Sequence, residues 1–233
     1  MRRPNSAWAW IVIAVLLLAG CGGNEGQQRA AFTEFLQTRI LDKPGVHLPR
    51  LSDEDKAHFG PYADHYAIIS DFNKAMDDSV SPKLTSAMEA GAIRSLSDVV
   101  SGRARLEAAR AGINEMGTAL STALAQADAA HAKLEQPADL KATYDKAYNR
   151  LVAEPAAAFK EIVPVMDKVL GQAIDLGKYI DEHRSSVRVN GPMIETGNRK
   201  IQAEINDRLS ALQSNQQAVQ SAQSRLRSIM YGS

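Results

Sequence analysis

An apolar seam with a seven-residue period constrains this chain more than any other feature. Val99, Leu106, Ile113, Leu120, Ala127 and Leu134 recur at intervals of seven, and Gly102, Ala109, Met116, Ala123 and Ala130 follow three residues after the first five. An apolar position every 3.5 residues marks a helix laid along another helix, because 3.5 falls just short of the 3.6-residue turn. About half of the slots hold Gly or Ala, which lets two backbones approach closely. The spacing predicts a long helix in a tight antiparallel hairpin. A weaker seam of Ile205, Leu212, Val219 and Leu226 predicts a last long helix over 196–230, with Asn215 and Gln216 in its secondary slots.

The rest of the chain reads as shorter helices. Residues 27–42 place Ala31, Phe35, Leu36 and Ile40 on one stripe with Phe32 beside it, and Lys43-Pro44-Gly45 ends the pattern. Ser52, three residues before Asp55, reads as an N-cap for a helix to Phe59, which Gly60-Pro61 breaks. Tyr62, Tyr66 and Ile69 share one side of a helix over 62–80. Ser81-Pro82 reads as a fresh cap with Pro at the first helical position, opening a segment to Ala90. Helices over 138–152 and 156–183 follow, the second starting after Pro155, and Pro164 is expected to kink it or mark a boundary. Past His183, Val187 and Val189 alternate with polar residues up to the turn pair Asn190-Gly191, and Met193-Ile194 follow. Pro192 limits this to a small ribbon. The expected fold class is all-α: an elongated helical bundle with long heptad-patterned helices and one small β-hairpin between Val187 and Ile194, forming one helical domain over 27–233.

The first twenty residues have the three parts of an export signal. Arg2 and Arg3 precede an apolar run, 7–18, and the small residues Ala19 and Gly20. That stretch reaches about 21 Å as a helix, short of the ~30 Å hydrocarbon core that a span must cross. Leu18-Ala19-Gly20-Cys21 resembles the lipobox of bacterial lipoproteins. The resemblance implies cleavage between Gly20 and Cys21, a diacylglyceryl group on the Cys21 thiol and an acylated amino terminus. Two or more acyl chains hold a protein on a membrane stably where one does not. The alternatives are an ordinary secretory signal followed by a free thiol, or an uncleaved anchor. On this reading residues 1–20 are signal, and 21–26 are the lipid-bearing cysteine and a short flexible tether. Gly22 stands where an Asp commonly marks inner-membrane retention, so in a Gram-negative cell the expectation is outer-membrane attachment facing the periplasm. The precursor's 27 basic and 27 acidic side chains balance. Loss of Arg2 and Arg3 leaves 25 against 27, a net of −2, and no basic excess calls for nucleic acid.

Little in the mature chain points to chemistry. One cysteine excludes an internal disulfide and a four-cysteine zinc site. Asp55 and His58 lie one helical turn apart, with Asp64 and His65 nearby, but no His-Glu-x-x-His run fixes a metal set. Those residues read as polar surface side chains near a turn, and His131 reads as a partly buried, hydrogen-bonded packing residue on the flank of the seam. There is no Gly-x-Ser-x-Gly elbow and no phosphate-cradling glycine loop. No metal, cofactor or enzymatic activity is expected. Phe32, Phe35, Phe59, Tyr62, Tyr66 and Phe72 gather in the first third of the body. They read as a local core, the alternative being a hydrophobic-ligand or lipid pocket near the membrane-facing end.

Several segments carry a family resemblance: Gly26-Gln27-Gln28-Arg29-Ala30-Ala31-Phe32, Leu48-Pro49, Phe59-Gly60-Pro61-Tyr62, Ala127-Asp128-Ala129-Ala130-His131, Asp139-Leu140-Lys141 and Asn190-Gly191. With these the chain resembles the YiaF-like lipoproteins of proteobacteria, a family of unknown function. The resemblance implies a helical envelope lipoprotein and carries over no site except the lipid-bearing Cys21. The expected partners are the membrane, through the lipid anchor, and a helical protein or a second copy of the chain. The expected role is structural or interactive.

Overall fold

In the computed structural model the described residues are 22–90, 95–190 and 193–232. Residues 1–20, expected to be the signal, Cys21, and Gly191 and Pro192, expected to be in the hairpin turn, lie outside them. Helix α1 spans Gly22–Leu36 in the described region, so the residues expected to form a flexible tether, 22–26, are helical. The chain continues through a π turn (Gln37–Leu41) and a loop to α2 (Asp53–Phe59). The Ser52–Asp55 cap forms as a reciprocal capping box. Next come α3 (Tyr62–Ala75), a π turn (Met76–Val80) and α4 (Ser81–Ala90). After α5 (Leu96–Ser101) come the long α6 (Arg103–His131) and α7 (Ala138–Tyr148), then a third π turn (Asn149–Ala153) and α8 (Glu154–Glu182). Strands β1 (Val187–Asn190) and β2 (Met193–Thr196) pair antiparallel, with Val189 opposite Ile194, before α9 (Arg199–Ser214) and α10 (Gln216–Tyr231).

The proline reading needs correction. Ser81 has helical dihedrals (φ −59°, ψ −43°), so it is not a cap. Ala153 is helical too (φ −70°, ψ −47°), so the chain does not leave the helix before Pro155. Pro164 lies inside α8, which runs on past it and is not divided there. A proline ring collides with the carbonyl four residues back. For Pro82 and Pro155 those carbonyls belong to Asp78 and Leu151, both inside π turns. The wider turn moves the carbonyl off the ring, and the helix continues.

The seam behaves as its spacing requires. Leu106, Ile113, Met116 and Leu120 are 0 % exposed, and Ala109, Ala123 and Ala127 stay buried. Helix α6 pairs antiparallel with α7–α8: a Cβ on Gly117 would sit 3.1 Å from Val163 Cγ1, while Arg110 Nε meets Asp167 at 2.8 Å. The seam is interrupted at Gly102, which separates α5 from α6. Gly177 is needed where α8 crosses α5, because a Cβ there would collide with the Val99 carbonyl. The last helix is two, not one: the chain turns at the buried Asn215, whose amide donates to Gln172 Oε1 and to the Ala211 carbonyl, both at 2.7 Å. Its seam residues beyond Ile205 are only half-buried. Contacts from Arg208 to Asp175 (2.9 Å) and from Arg225 to Glu161 (2.6 Å) run α9 and α10 antiparallel to α8.

These pairings define two ends. Helix α1 starts where α3 and α7 start: Arg29 meets Asp139 at 3.5 Å, and the Tyr62 hydroxyl lies 3.5 Å from Glu25. The hairpin sits at the other end, where Arg103 meets Asp181 at 3.6 Å. The 29 residues of α6 separate the two by about 43 Å, at ~1.5 Å per residue. Val99, Leu176, Ile180, Val187, Ile201 and Ile205 form a small core at the hairpin end, and Leu212 packs against both this core and the main one.

Candidate functional site

Five of the six aromatic residues singled out in the sequence converge on the end where α1 begins, and the sixth, Phe72, is buried further along α3. Phe32 stacks on Tyr62 (6.0 Å between centroids) and meets Phe59 at 5.3 Å, while Phe35 meets Tyr66 edge-on at 5.3 Å. All five rings are at most 6 % exposed. Their edges and faces fill one another, which is the packing of a core rather than a wall around a ligand. Tyr144 and Tyr148 of α7, which no sequence motif marks, close the cluster from the opposite side, with Tyr144 centred 6.4 Å from Phe32. A faint signal was present in the helical spacing of Leu140, Tyr144, Ala147 and Leu151, all 0 % exposed.

Each buried tyrosine hydroxyl in this region has a partner. Tyr66 donates to the Pro49 carbonyl (2.7 Å), Tyr144 to the His65 carbonyl (2.6 Å) and Tyr148 to Asp128 Oδ1 (2.7 Å). Burial pushes all three phenols up from their ordinary value, and at Tyr148 the bond to Asp128 adds to the effect. They stay neutral donors at any physiological pH.

Two histidines flank the rings. His131, in the last turn of α6, stacks on Tyr148 at 4.1 Å and places Nε2 2.8 Å from Asp145. Burial pulls the Asp145 carboxyl up, but hydrogen bonds from Lys141 and His131 outweigh it and hold the group below the usual carboxylate range. His65 sits edge-on to Tyr62, with Nδ1 2.8 Å from the Gln136 amide in the α6–α7 loop. The arrangement clamps α3, α6 and α7 together. It has the elements of an acid–base pair but presents them to each other rather than to an open cleft.

His65 is held below its ordinary value of 6.5, chiefly by burial, with Asp64 pulling weakly the other way. The folded protein therefore binds this proton less readily than the unfolded chain, and stability falls as pH drops below about 6.5. Thermal melts between about pH 7.5 and 5 are expected to show this loss, and His65→Gln is expected to flatten the slope. An unchanged slope in the variant contradicts the assignment.

The other histidines are dispersed. His47 and His58 are exposed, and His183 Nδ1 lies 2.8 Å from the Tyr179 carbonyl. Asp55 is occupied by the Ser52 cap, whose backbone and side-chain hydrogen bonds lower its pKa. The structure does not draw Asp55, His58, Asp64 and His65 into a ligand set, and the described residues contain no group of three or more His, Cys, Asp or Glu arranged to hold a metal. None of the described helices is long and apolar enough to cross a membrane. A shallow open groove runs between α6 and α8, lined by Gly117, Thr118, Ser121, Ala125, Val163 and Pro164. Cys21 and Gly20, the expected lipid-attachment and cleavage residues, lie outside the described region.

Fold and site together define an all-α bundle protein with an aromatic-cored end and a small distal hairpin. Within that class, the family model described as "Protein of unknown function (DUF3053)" matches residues 9–227, and the chain belongs to this family. It is 32 % identical over 215 residues to the "Uncharacterized protein YiaF" of Escherichia coli (strain K12), covering 91 % of this chain and 89 % of that one. The same identity and coverage hold for the protein of that description from Shigella flexneri. No solved structure matches.

Proposed function

We propose that the chain is a bacterial lipoprotein, cut before Cys21 and held on the envelope by acyl chains on that residue, with the helical body acting as a structural or interaction module. Leu18-Ala19-Gly20-Cys21, directly behind the apolar run, carries the reading. The body supports it in two ways. Helix α1 is helical from the first described residue, Gly22, and is locked into the core ten residues on by Phe32, so lipid on Cys21 holds the aromatic end close to the headgroups. Placement at the outer membrane, on the periplasmic side, follows from Gly22 in a Gram-negative cell. The reading assigns no reaction. His131, Asp145, Tyr148 and Asp128 are engaged in joining α6 to α7, which suits a scaffold better than a catalyst.

The test is Cys21→Ser in cells supplied with labelled fatty acid. The parent is expected to take up label and to lose Trp8 and Trp10, the chain's two tryptophans, leaving a mature protein without tryptophan emission. The variant is expected to carry no label and to accumulate as the uncut, tryptophan-bearing precursor. Normal processing and membrane retention of the variant contradict the proposal.

A further inference from the structure

Residues 184–200 carry four cations, Arg184, Arg188, Arg199 and Lys200, against one carboxylate, Glu195. In a chain whose 27 basic and 27 acidic side chains balance overall, this is a local excess. The structure gathers it at the end of the bundle away from α1: Arg184 precedes β1, Arg188 lies opposite Glu195 in the hairpin, and Arg199 and Lys200 open α9. All four are exposed. The nearby carboxylates are taken, Asp181 by Arg103, Glu182 by Lys178 and Glu204 by Arg208. Cations in the first turn of a helix oppose its macrodipole, and α9 has no acidic residue there to offset them. Glu195 offsets Arg188 across the strand pair, but Arg199 and Lys200 have no such offset in the first turn of α9, and the net positive charge favours an external anion.

The hairpin adds an apolar element. Its inner face, Val187, Val189 and Ile194, packs on the distal core. The outer face carries Arg188 and Met193, and Met193 is 58 % exposed. An anionic bilayer surface engages both features at once: phosphates meet the cations and the flexible thioether enters the headgroup boundary. We propose that this distal cap docks on an anionic phospholipid surface, a contact point about 43 Å from the tether end, taking the length of α6 at ~1.5 Å per residue.

Among the described residues the elements run from Gly22 to Tyr231 and the buried side chains from Phe32 to Asn215, and a cooperative melt of the chain 22–233 checks that it retains them. This makes the test independent of lipid on Cys21. That chain is mixed with vesicles of phosphatidylcholine alone or with phosphatidylglycerol added, and flotation is read at low and high salt. Binding is expected only to the phosphatidylglycerol vesicles and is lost at high salt. At about fivefold per cation, the Arg188→Gln, Arg199→Gln, Lys200→Gln triple variant is expected to bind on the order of 100-fold more weakly. Met193→Ser is expected to weaken binding about fivefold. These side chains are exposed, so an unchanged melting temperature shows that the variants remain folded. Equal flotation with neutral vesicles, no flotation at all, salt-insensitive binding, or a triple variant that binds like the parent overturns the proposal. Retention on poly-glutamate without flotation overturns it in favour of an acidic protein partner.

Discussion

Phe32→Ala is expected to lower the stability of the body by about 3–5 kcal/mol, the cost of emptying a fully packed aromatic site. Phe32 is 0 % exposed and touches rings from three other elements: Phe59 of α2, Tyr62 of α3 and Tyr144 of α7. Its removal opens a cavity where α1, the element that follows the cysteine, is fastened to the bundle. For a body of this size the loss corresponds to a fall in melting temperature of roughly 6–20 °C. Tyr231→Ala is the matched control: Tyr231 is 74 % exposed and its replacement is expected to stay within about 0.5 kcal/mol of the parent. A Phe32→Ala melt indistinguishable from that control would mean that the aromatic end is not a packed core.

Arg150→Ala carries the second large effect, through hydrogen bonding rather than volume. The Arg150 guanidinium donates to the Leu41 carbonyl at 2.7 Å, to the Gly45 carbonyl at 3.1 Å and to the Lys43 carbonyl. These acceptors belong to the end of the first π turn and the loop after it, where carbonyls have no partner within the helix. A charged donor contributes about 1.5–3 kcal/mol per bond when buried. Arg150 is only part-buried, so a combined loss of about 2–4 kcal/mol is expected in chemical denaturation. Lysine offers a point charge in place of the planar fork, and Arg150→Lys is expected to recover less than half of the loss. The effect should spread to the C-terminus, because the same loop holds α10: Val46 N–H donates to the Met230 carbonyl at 3.1 Å. Gly45 (φ +67°) permits that contact, since a Cβ there would come within 2.5 Å of the same oxygen. Faster hydrogen exchange at Val46 in Arg150→Ala is the local signature to look for.

Arg150 also shows why part of this molecule could not be read from its residues in order. Its acceptors lie 105 to 109 positions away, and no local period or motif announces them. The seams were legible because a seven-residue repeat states both a helix and the face it buries: Ile113, Met116 and Leu120 are interior for the reason their spacing implies. The hairpin was legible because Val187 and Val189 change the period from 3.6 to 2. Pro82 and Pro155 misled, because they act as punctuation in isolation, whereas in the fold the π turns before them let the helix continue, and at Pro164 only the expected boundary is absent. The break at Asn215 needed the tertiary partner Gln172 to become visible. At the aromatic end, Phe32, Phe59 and Tyr62 stood out by composition and His131 by its place beside the seam. Tyr144 and Tyr148 did not, because their helix is short and half polar.

The body's architecture bears on the proposed role through its polarity along one axis. The end that follows Cys21 is closed by aromatic packing and a set of satisfied polar bonds. The far end carries the exposed cations Arg184, Arg188, Arg199 and Lys200 and the exposed Met193. A protein held by lipid at the first end would present the second about 43 Å away, by the length of α6 at ~1.5 Å per residue. The proposed attachment to the envelope depends on the lipid. The intact mass of the native protein extracted from membranes tests it most directly: the predicted value is that of residues 21–233 carrying a diacylglyceryl group and an amino-terminal acyl chain. A mass corresponding to the full 233-residue chain, or to a cleaved chain with a free Cys21 thiol, would contradict it.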